Sequence, residues 1–196
     1  MIPFPEKKYE IIYADPPWKE QGGGKIKRGA DRHYSLMSTN DIKNLPVNQI
    51  TAENAHLYLW VTNNFLSDGL EVVKAWGFRY VTMITWVKDK FGLGQYYRGQ
   101  TEHVLFGVKG MLPYKIDLTG KRCQGKTFFM APRGKHSVKP EEMRKMIEHV
   151  SYQTGMNKLE MFARRVIPGW DVWGNEVEET VKDMFGEIVE SGIGKK

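Results

Sequence analysis

A single cysteine, Cys123, stands in this sequence, which rules out an internal disulfide and a cysteine-based zinc cluster. Five histidines are scattered along the 196 residues and make no metal constellation, so no metal is expected. No apolar run approaches the ~20 residues of a membrane span. The opening MIPFPEKKYEIIY also lacks the apolar core of a signal peptide. Internal repeats and low-complexity tracts are missing as well. These absences lead us to expect a cytoplasmic protein with no membrane partner.

Hydrophobic residues make up 41% and charged residues 27%, enough apolar material for one sizeable core. The length suits one domain, since domains run to ~100–200 residues. We expect that domain over residues 1–176. Residues 177–196 form a tail whose Val177, Val181, Met184 and Ile188 suggest a frayed helix or a subunit contact. A monomer and a homodimer both fit. Lys and Arg number 29 against 23 Asp and Glu, a net charge of +6 that favours polyanionic partners or merely aids solubility. Six tryptophans suit a packed core, a base-stacking surface, or both.

Runs rich in β-branched and aromatic residues predict strands at Tyr9–Ala14 and at 56–62, 80–87 and 103–108, with further strands at 127–131 and 158–162. Helices interleave with them. One starts near Ser38, where Ser38 and Asp41 have capping-box spacing. A second spans about 64–76, with Leu66, Leu70 and Val73 on one face and Gly77 as its stop. A third covers 140–150, with Pro140 at the first helical position and a core stripe of Met143, Met146, Ile147 and Val150. Alternating strands and helices imply an α/β three-layer sandwich on a central, mostly parallel sheet. Ligands in such sheets sit beyond the carboxyl ends of the strands. Segments 19–32, 88–101 and 111–126 combine Gly with Lys or Arg and fit no element. The first reads either as a surface loop or as a basic lip over a nucleic acid strand.

Directly after the first strand stands Asp15-Pro16-Pro17-Trp18. Asp15 and Pro16 both precede a proline, which pushes them to extended geometry, and each proline lacks an N–H. The turn is therefore stiff. It offers two acceptors, the Asp15 carboxylate and the Pro16 carbonyl, with few local donors to quench them, and Trp18 adds a flat apolar face. An adenine amine has two hydrogens to hold and a lone pair delocalised into its ring. Two acceptors would favour the pyramidal amine that attacks a sulfonium methyl. The competing reading is a turn that simply ends a strand.

The chain resembles the MT-A type adenine methyltransferase family, whose eukaryotic members include the catalytic subunit of the messenger-RNA methyladenine writer. The likeness runs from Tyr9 to about Glu176. It rests on Asp15-Pro16-Pro17-Trp18, His33-Tyr34…Met37, Leu59-Trp60-Val61-Thr62, Trp86-Val87-Lys88 and Glu102-His103, followed by His136…Lys139-Pro140, Glu160-Met161-Phe162-Ala163-Arg164 and Gly174-Asn175. The ending Gly169-Trp170-Asp171-Val172-Trp173-Gly174-Asn175-Glu176 looks most like bacterial and phage members. The resemblance implies a Rossmann-like methyltransferase fold with permuted motif order and S-adenosylmethionine as cofactor.

By that resemblance Asp15 and Pro16 accept from the target amine, within a catalytic set of Asp15, Pro16, Pro17 and Trp18. Asp15, Tyr34, Lys139, Glu160, Arg164, Asn175 and Glu176 become the candidate cofactor contacts. Lys88 and Glu102 come near the target nucleotide, and Lys27, Arg28, Arg98 and Arg133 join them as candidate nucleic-acid contacts. Blander readings compete: Lys139 as a solvated lysine, Arg164-Arg165 as a surface pair, Glu160 in a buried ion pair, His103 and His136 as structural histidines. Ala163 replaces a Gly, and Glu176 a Gln, of the eukaryotic enzymes. The expected function is methyl transfer to N6 of adenine in DNA, with short or relaxed sequence specificity. RNA adenine, cytosine, or a silent nucleic-acid-binding subunit are the alternatives. Asp15, where similarly laid-out cytosine enzymes carry Ser, favours adenine.

Overall fold

The computed structural model describes residues 4–19, 36–92, 94, 96–112, 114–134 and 138–174. Lys27, Arg28, Tyr34, His136, Asn175, Glu176 and the tail lie outside the described residues. Seven strands form one sheet in the order β5-β3-β4-β2-β1-β6-β7. They are β1 (Tyr9–Ala14), β2 (Thr51–Val61), β3 (Arg79–Val87), β4 (Thr101–Lys109), β5 (Phe128–Met130), β6 (Lys158–Met161) and β7 (Asp171–Trp173). β1 pairs in parallel with β2 and β6, β6 with β7, and β3 with β5. Only β4 is reversed, antiparallel to both β2 and β3.

Side chains alternate across the sheet, so each face has its own core. Ile12, Ala14, Leu57, Leu59 and Val61 pack beneath the helices α1 (Thr39–Lys43), α2 (Val47–Ile50) and α3 (Leu66–Ala75), with Ile42, Ile50, Val72, Val73 and Trp76. Ile11, Tyr13, Tyr58, Trp60 and Trp86 pack on the other face against α4 (Glu141–Val150), through Met143 and Ile147. The architecture is a three-layer α/β sandwich with a mostly parallel sheet. Among the described residues no helix is long and apolar enough to cross a membrane.

Local chemistry explains where the helices begin and end. Ser38 and Asp41 form the reciprocal capping box that opens α1. Gly77, at φ +81°, follows the last turn of α3. Two expectations need correction. Pro140 is the N-cap of α4, with ψ 141°, so the first helical residue is Glu141. The inward face of α3 is also rotated from the expected Leu66–Leu70–Val73 stripe: Leu66 and Leu70 are exposed, while Gly69, Val72 and Val73 are buried. Gly69 causes the rotation. A Cβ there would strike Val61 and sit 2.8 Å from Leu105 Cδ1, so the missing side chain lets the helix lie directly on β2 and β4. β7 and α2, too short for a periodic pattern, are additions to the expected elements.

Under the α4 face, His56 Nδ1 and the Tyr58 hydroxyl both meet the Ser151 hydroxyl, at 2.7 and 2.6 Å. Burial lowers the His56 pKa from 6.5 to about 4. The unfolded chain then binds a proton between those values that the native state refuses, so stability falls as the pH drops through this window. Denaturant titrations should show a loss of about 3 kcal/mol between pH 6.5 and 4, and His56→Gln should flatten that dependence. For α3, Gly69→Leu should cost about 2 kcal/mol by overpacking. Thermal melts should register this as a fall of roughly 4–8 °C, while Leu70→Ala should cost less than ~1 kcal/mol.

Candidate active site

The carboxyl ends of β1, β3 and β6 lie along one edge of the sheet, and the reversal of β4 brings its first residues to the same edge. Register makes this concrete: Ala14 lies beside both Leu59 and Met161, and Trp86 beside Glu102. Asp15 therefore emerges from the centre of the sheet, with Lys88 just after β3 and Glu102 at the start of β4. Lys139, on the loop between β5 and α4, reaches into the same place.

These four side chains form a chain of alternating charge. Lys88 Nζ lies 2.5 Å from Glu102 Oε1, Lys139 Nζ 3.3 Å from Glu102 Oε2, and Lys139 Nζ 2.8 Å from Asp15 Oδ1. Aromatic rings floor the lysines: Lys139 sits 5.2 Å over Trp60 and Lys88 4.9 Å over Trp86. The Trp60 indole donates to the Tyr13 hydroxyl at 2.6 Å, and Trp60 meets Trp86 edge-on at 6.0 Å. Lys139 is thus no freely solvated lysine. Its side chain is 15% exposed, against 24% for Asp15.

The environment tunes the carboxylates in opposite directions. Burial raises the Asp15 pKa above its ordinary 3.8, against the pull of Lys139 and Arg164. Burial works the same way on Glu102, but Lys139 and Lys88 outweigh it and leave Glu102 lowered. Desolvation disfavours the Lys139 ammonium, yet Asp15 and Glu102 together raise its pKa. Burial thus favours the neutral form of Asp15, while its lysine partners hold Glu102 in the ionised form and Lys139 stays charged.

The rest of the motif is anchored. The Trp18 N–H donates to the Pro16 carbonyl at 2.9 Å, across Pro17. This corrects the expectation of an unquenched carbonyl, although a carbonyl oxygen has two lone pairs and one remains. Trp18 is also less open than expected. Phe65 stacks on one face at 5.3 Å, and the indole N–H donates to the Trp60 carbonyl at 3.0 Å. Met37 N–H donates to the Pro17 carbonyl at 2.8 Å. Trp18 clamps the turn to the end of β2 more than it offers a free plate.

Glu160 is placed elsewhere. It faces α4, where Arg144 Nε donates to Oε2 at 2.7 Å and Nη2 to Oε1 at 3.4 Å. The buried ion-pair reading holds there, because both carboxylate oxygens are engaged. The Arg164-Arg165 pair divides: Arg165 makes an exposed contact with Glu141 at 3.3 Å, while the charge of Arg164 acts on Asp15. Arg98 Nε donates to the Gly92 carbonyl at 3.0 Å, and the Arg133 N–H to Asp89 Oδ1 at 2.7 Å, both above the same edge. His103 is structural, bonded through its two ring nitrogens to Thr85 and Asn63.

One feature escaped the sequence reading. Phe162, after β6, takes φ +62°, and Gly174, after β7, lies so close that a Cβ would be 2.7 Å from the Ala163 nitrogen. Ala163 N–H donates to the Trp173 carbonyl at 3.1 Å. The two motif pieces 160–164 and 174–175 are thereby pinned side by side up to residue 174. Only a positive φ at a non-glycine residue and a packed glycine reveal this, and neither is visible in a linear sequence.

The chain is 31% identical to the Type II methyltransferase M.MunI of Mycoplasma sp, over 96% of this chain and 87% of that protein. It is 31% identical to the human N(6)-adenosine-methyltransferase catalytic subunit METTL3 over 87% of this chain, spanning 28% of that protein's length. It is 29% identical to the human N(6)-adenine-specific methyltransferase METTL4, over 95% of this chain and 41% of that protein. The MT-A70 family model matches residues 9–176, from the first residue of β1 past the end of β7, and the chain belongs to the MT-A70 family.

Proposed function

We propose that the chain transfers a methyl group from S-adenosylmethionine to the N6 amine of adenine in DNA. The single observation that carries the reading is the Asp15 carboxylate at the carboxyl end of β1, next to the Pro16 carbonyl and paired with Lys139. The donor set fits the cofactor. Its amino-acid end bears one ammonium and one carboxylate, and the site presents Asp15 for the first and the cations Lys139 and Arg164 for the second. When bound, the cofactor supplies an electrophilic sulfonium methyl.

The chain's own residues then hold and deprotonate the amine. Asp15 and the remaining lone pair of Pro16 accept one N–H each, favouring the pyramidal amine whose lone pair is withdrawn from conjugation with the ring. Charge-assisted bonds of this kind contribute roughly 1.5–3 kcal/mol. As the new bond forms, the amine must lose a proton. The raised pKa of Asp15 makes it a better acceptor than an ordinary carboxylate. Glu102 and Lys88 keep Lys139 charged and in place, and the clamp on Trp18 keeps the turn rigid, which lowers the orientation cost of the reaction. The intact Asp15-Pro16-Pro17-Trp18 argues against a silent subunit. DNA is favoured by near full-length similarity to a type II methyltransferase.

Incubation with methyl-labelled cofactor and adenine-containing DNA or RNA, then nucleoside analysis, should yield N6-methyladenine from DNA. Label only in RNA would move the substrate, and label in cytosine or in neither would overturn the reading. Asp15→Asn should lower kcat/KM at least about a hundred-fold. Because ionised Asp15 is the working form, the acid limb of the kcat/KM profile should lie above pH 3.8. Lys139→Met removes the cation that pulls the Asp15 pKa down, and should move that limb to still higher pH.

A further inference from the structure

The described residues between β3 and β4 are hydrogen-bonded to one another. Lys88 N–H donates to the Gln100 carbonyl at 2.9 Å and Gly92 N–H to the Gly99 carbonyl at 2.6 Å, so pairing continues past the sheet edge. The Gln100 amide donates back to the Lys88 carbonyl at 2.8 Å. Two glycines are required for this path. A Cβ on Gly92 would lie 2.9 Å from the Gly99 carbonyl oxygen, and one on Gly94 would lie 2.8 Å from the Tyr97 carbonyl carbon. Tyr96 and Tyr97 are each 93% exposed, and Phe91 is 60% exposed.

Two adjacent tyrosines in water, on a backbone fixed by close contacts, need a reason. They contribute nothing to the core. Their neighbours are cationic: Lys88 and Lys90 on one arm, and Arg98 on the other, its guanidinium 5.6 Å over the Phe91 ring. Asp89, the acidic residue of the first arm, is occupied by the Arg133 N–H. Flat aromatic faces among positive charges suit a polyanion that carries planar rings. The platform also stands at the right place. Lys88 at its base is two ion pairs from Lys139, through Glu102, and three from Asp15. Gln100 pairs with Lys88, and the four steps back from Gln100 to Tyr96, at no more than ~3.4 Å each, put the tyrosines within about 14 Å of that base. That is a few base steps at ~3.4 Å.

We propose that the β3–β4 loop is a stacking platform on which Tyr96 and Tyr97 hold nucleotides flanking the target base, while Lys90 and Arg98 face their phosphates. The inference rests on the methyltransferase reading above and adds to it a site for the strand beside the reacting nucleotide. Stacking on aromatics is tolerant of base identity, because every base has a π-face. The platform therefore supplies affinity and register more than sequence choice.

The test is binding of a fluorescein-labelled, adenine-containing single-stranded oligonucleotide, followed by anisotropy across a salt series, alongside methyl transfer by the unaltered protein. Tyr96→Ala and Tyr97→Ala should each raise Kd about ten-fold. Tyr96→Phe and Tyr97→Phe, which keep the ring, should stay within about two-fold. The slope of log K against log salt should be unchanged in all four, since no phosphate contact is removed. Melting temperature, unaffected by such exposed residues, checks folding. If the unaltered protein binds and methylates while the alanine variants bind equally well, the platform is wrong and the function stands. If it neither binds nor methylates nucleic acid, both fall. If the alanine variants instead lose self-association in sedimentation equilibrium, the tyrosines form a protein contact and the proposal is overturned.

Discussion

Partial burial of charge at the sheet edge is the constraint around which this molecule is arranged. A carboxylate leaving the centre of a sheet loses solvation and drifts towards its neutral form unless a cation compensates. Lys139 supplies that compensation to Asp15, and would itself be disfavoured there without Glu102, which in turn is held by Lys88. Each member answers for the desolvation of the next. Removing one partner from such a cluster leaves an uncompensated charge, which is why pairs of this kind are costly to break even where their net contribution is small. The series ends at Asp15, whose raised pKa shows that its compensation is incomplete.

The strand order makes that series possible. With every strand parallel, the start of β4 would lie at the far edge, and Glu102 would be a sheet length away from Lys139. Its reversal between β2 and β3 brings the acid to the working edge without lengthening any loop. Beneath the charges, Tyr13, Trp60 and Trp86 form a hard aromatic floor joined by a hydrogen bond and an edge-on contact. Above β2, Phe65 and the Trp60 carbonyl fix Trp18 and with it the Pro-Pro turn. Six tryptophans in 196 residues are therefore no surplus. Trp18, Trp60 and Trp86 stiffen the site, and Trp76 is fully buried under α1 with its indole donating to Ile42.

Where the sequence was legible, strong local rules were at work. The six expected strands all appear, within a few residues, because β-branched and aromatic runs have nowhere else to go. Ser38, Gly77 and the α4 stripe were readable for the same reason: a cap, a stop and a 3.6-residue period act over one or two turns. The misreadings came where a distant neighbour decides. The face of α3 turned on a glycine whose value lies in letting Val61 and Leu105 approach. Glu160, for which the sequence left a cofactor contact and a buried ion pair both open, pairs with Arg144, sixteen residues earlier on another layer. The Pro16 carbonyl met its donor inside the same tetrapeptide, a turn geometry that proline alone does not dictate.

The sequence by itself determined the alternation of strands and helices, the stiffness of Asp15-Pro16-Pro17-Trp18, and its place at a strand's carboxyl end. Those follow from φ restriction, hydrophobic period and capping, which are properties of neighbouring residues. Only the tertiary structure decided that Glu102, Lys139 and Arg164, drawn from segments up to 62 residues apart, surround Asp15, with Lys88 behind Glu102. Charge interactions act through space, and no local pattern encodes which strand is reversed or which loops share an edge.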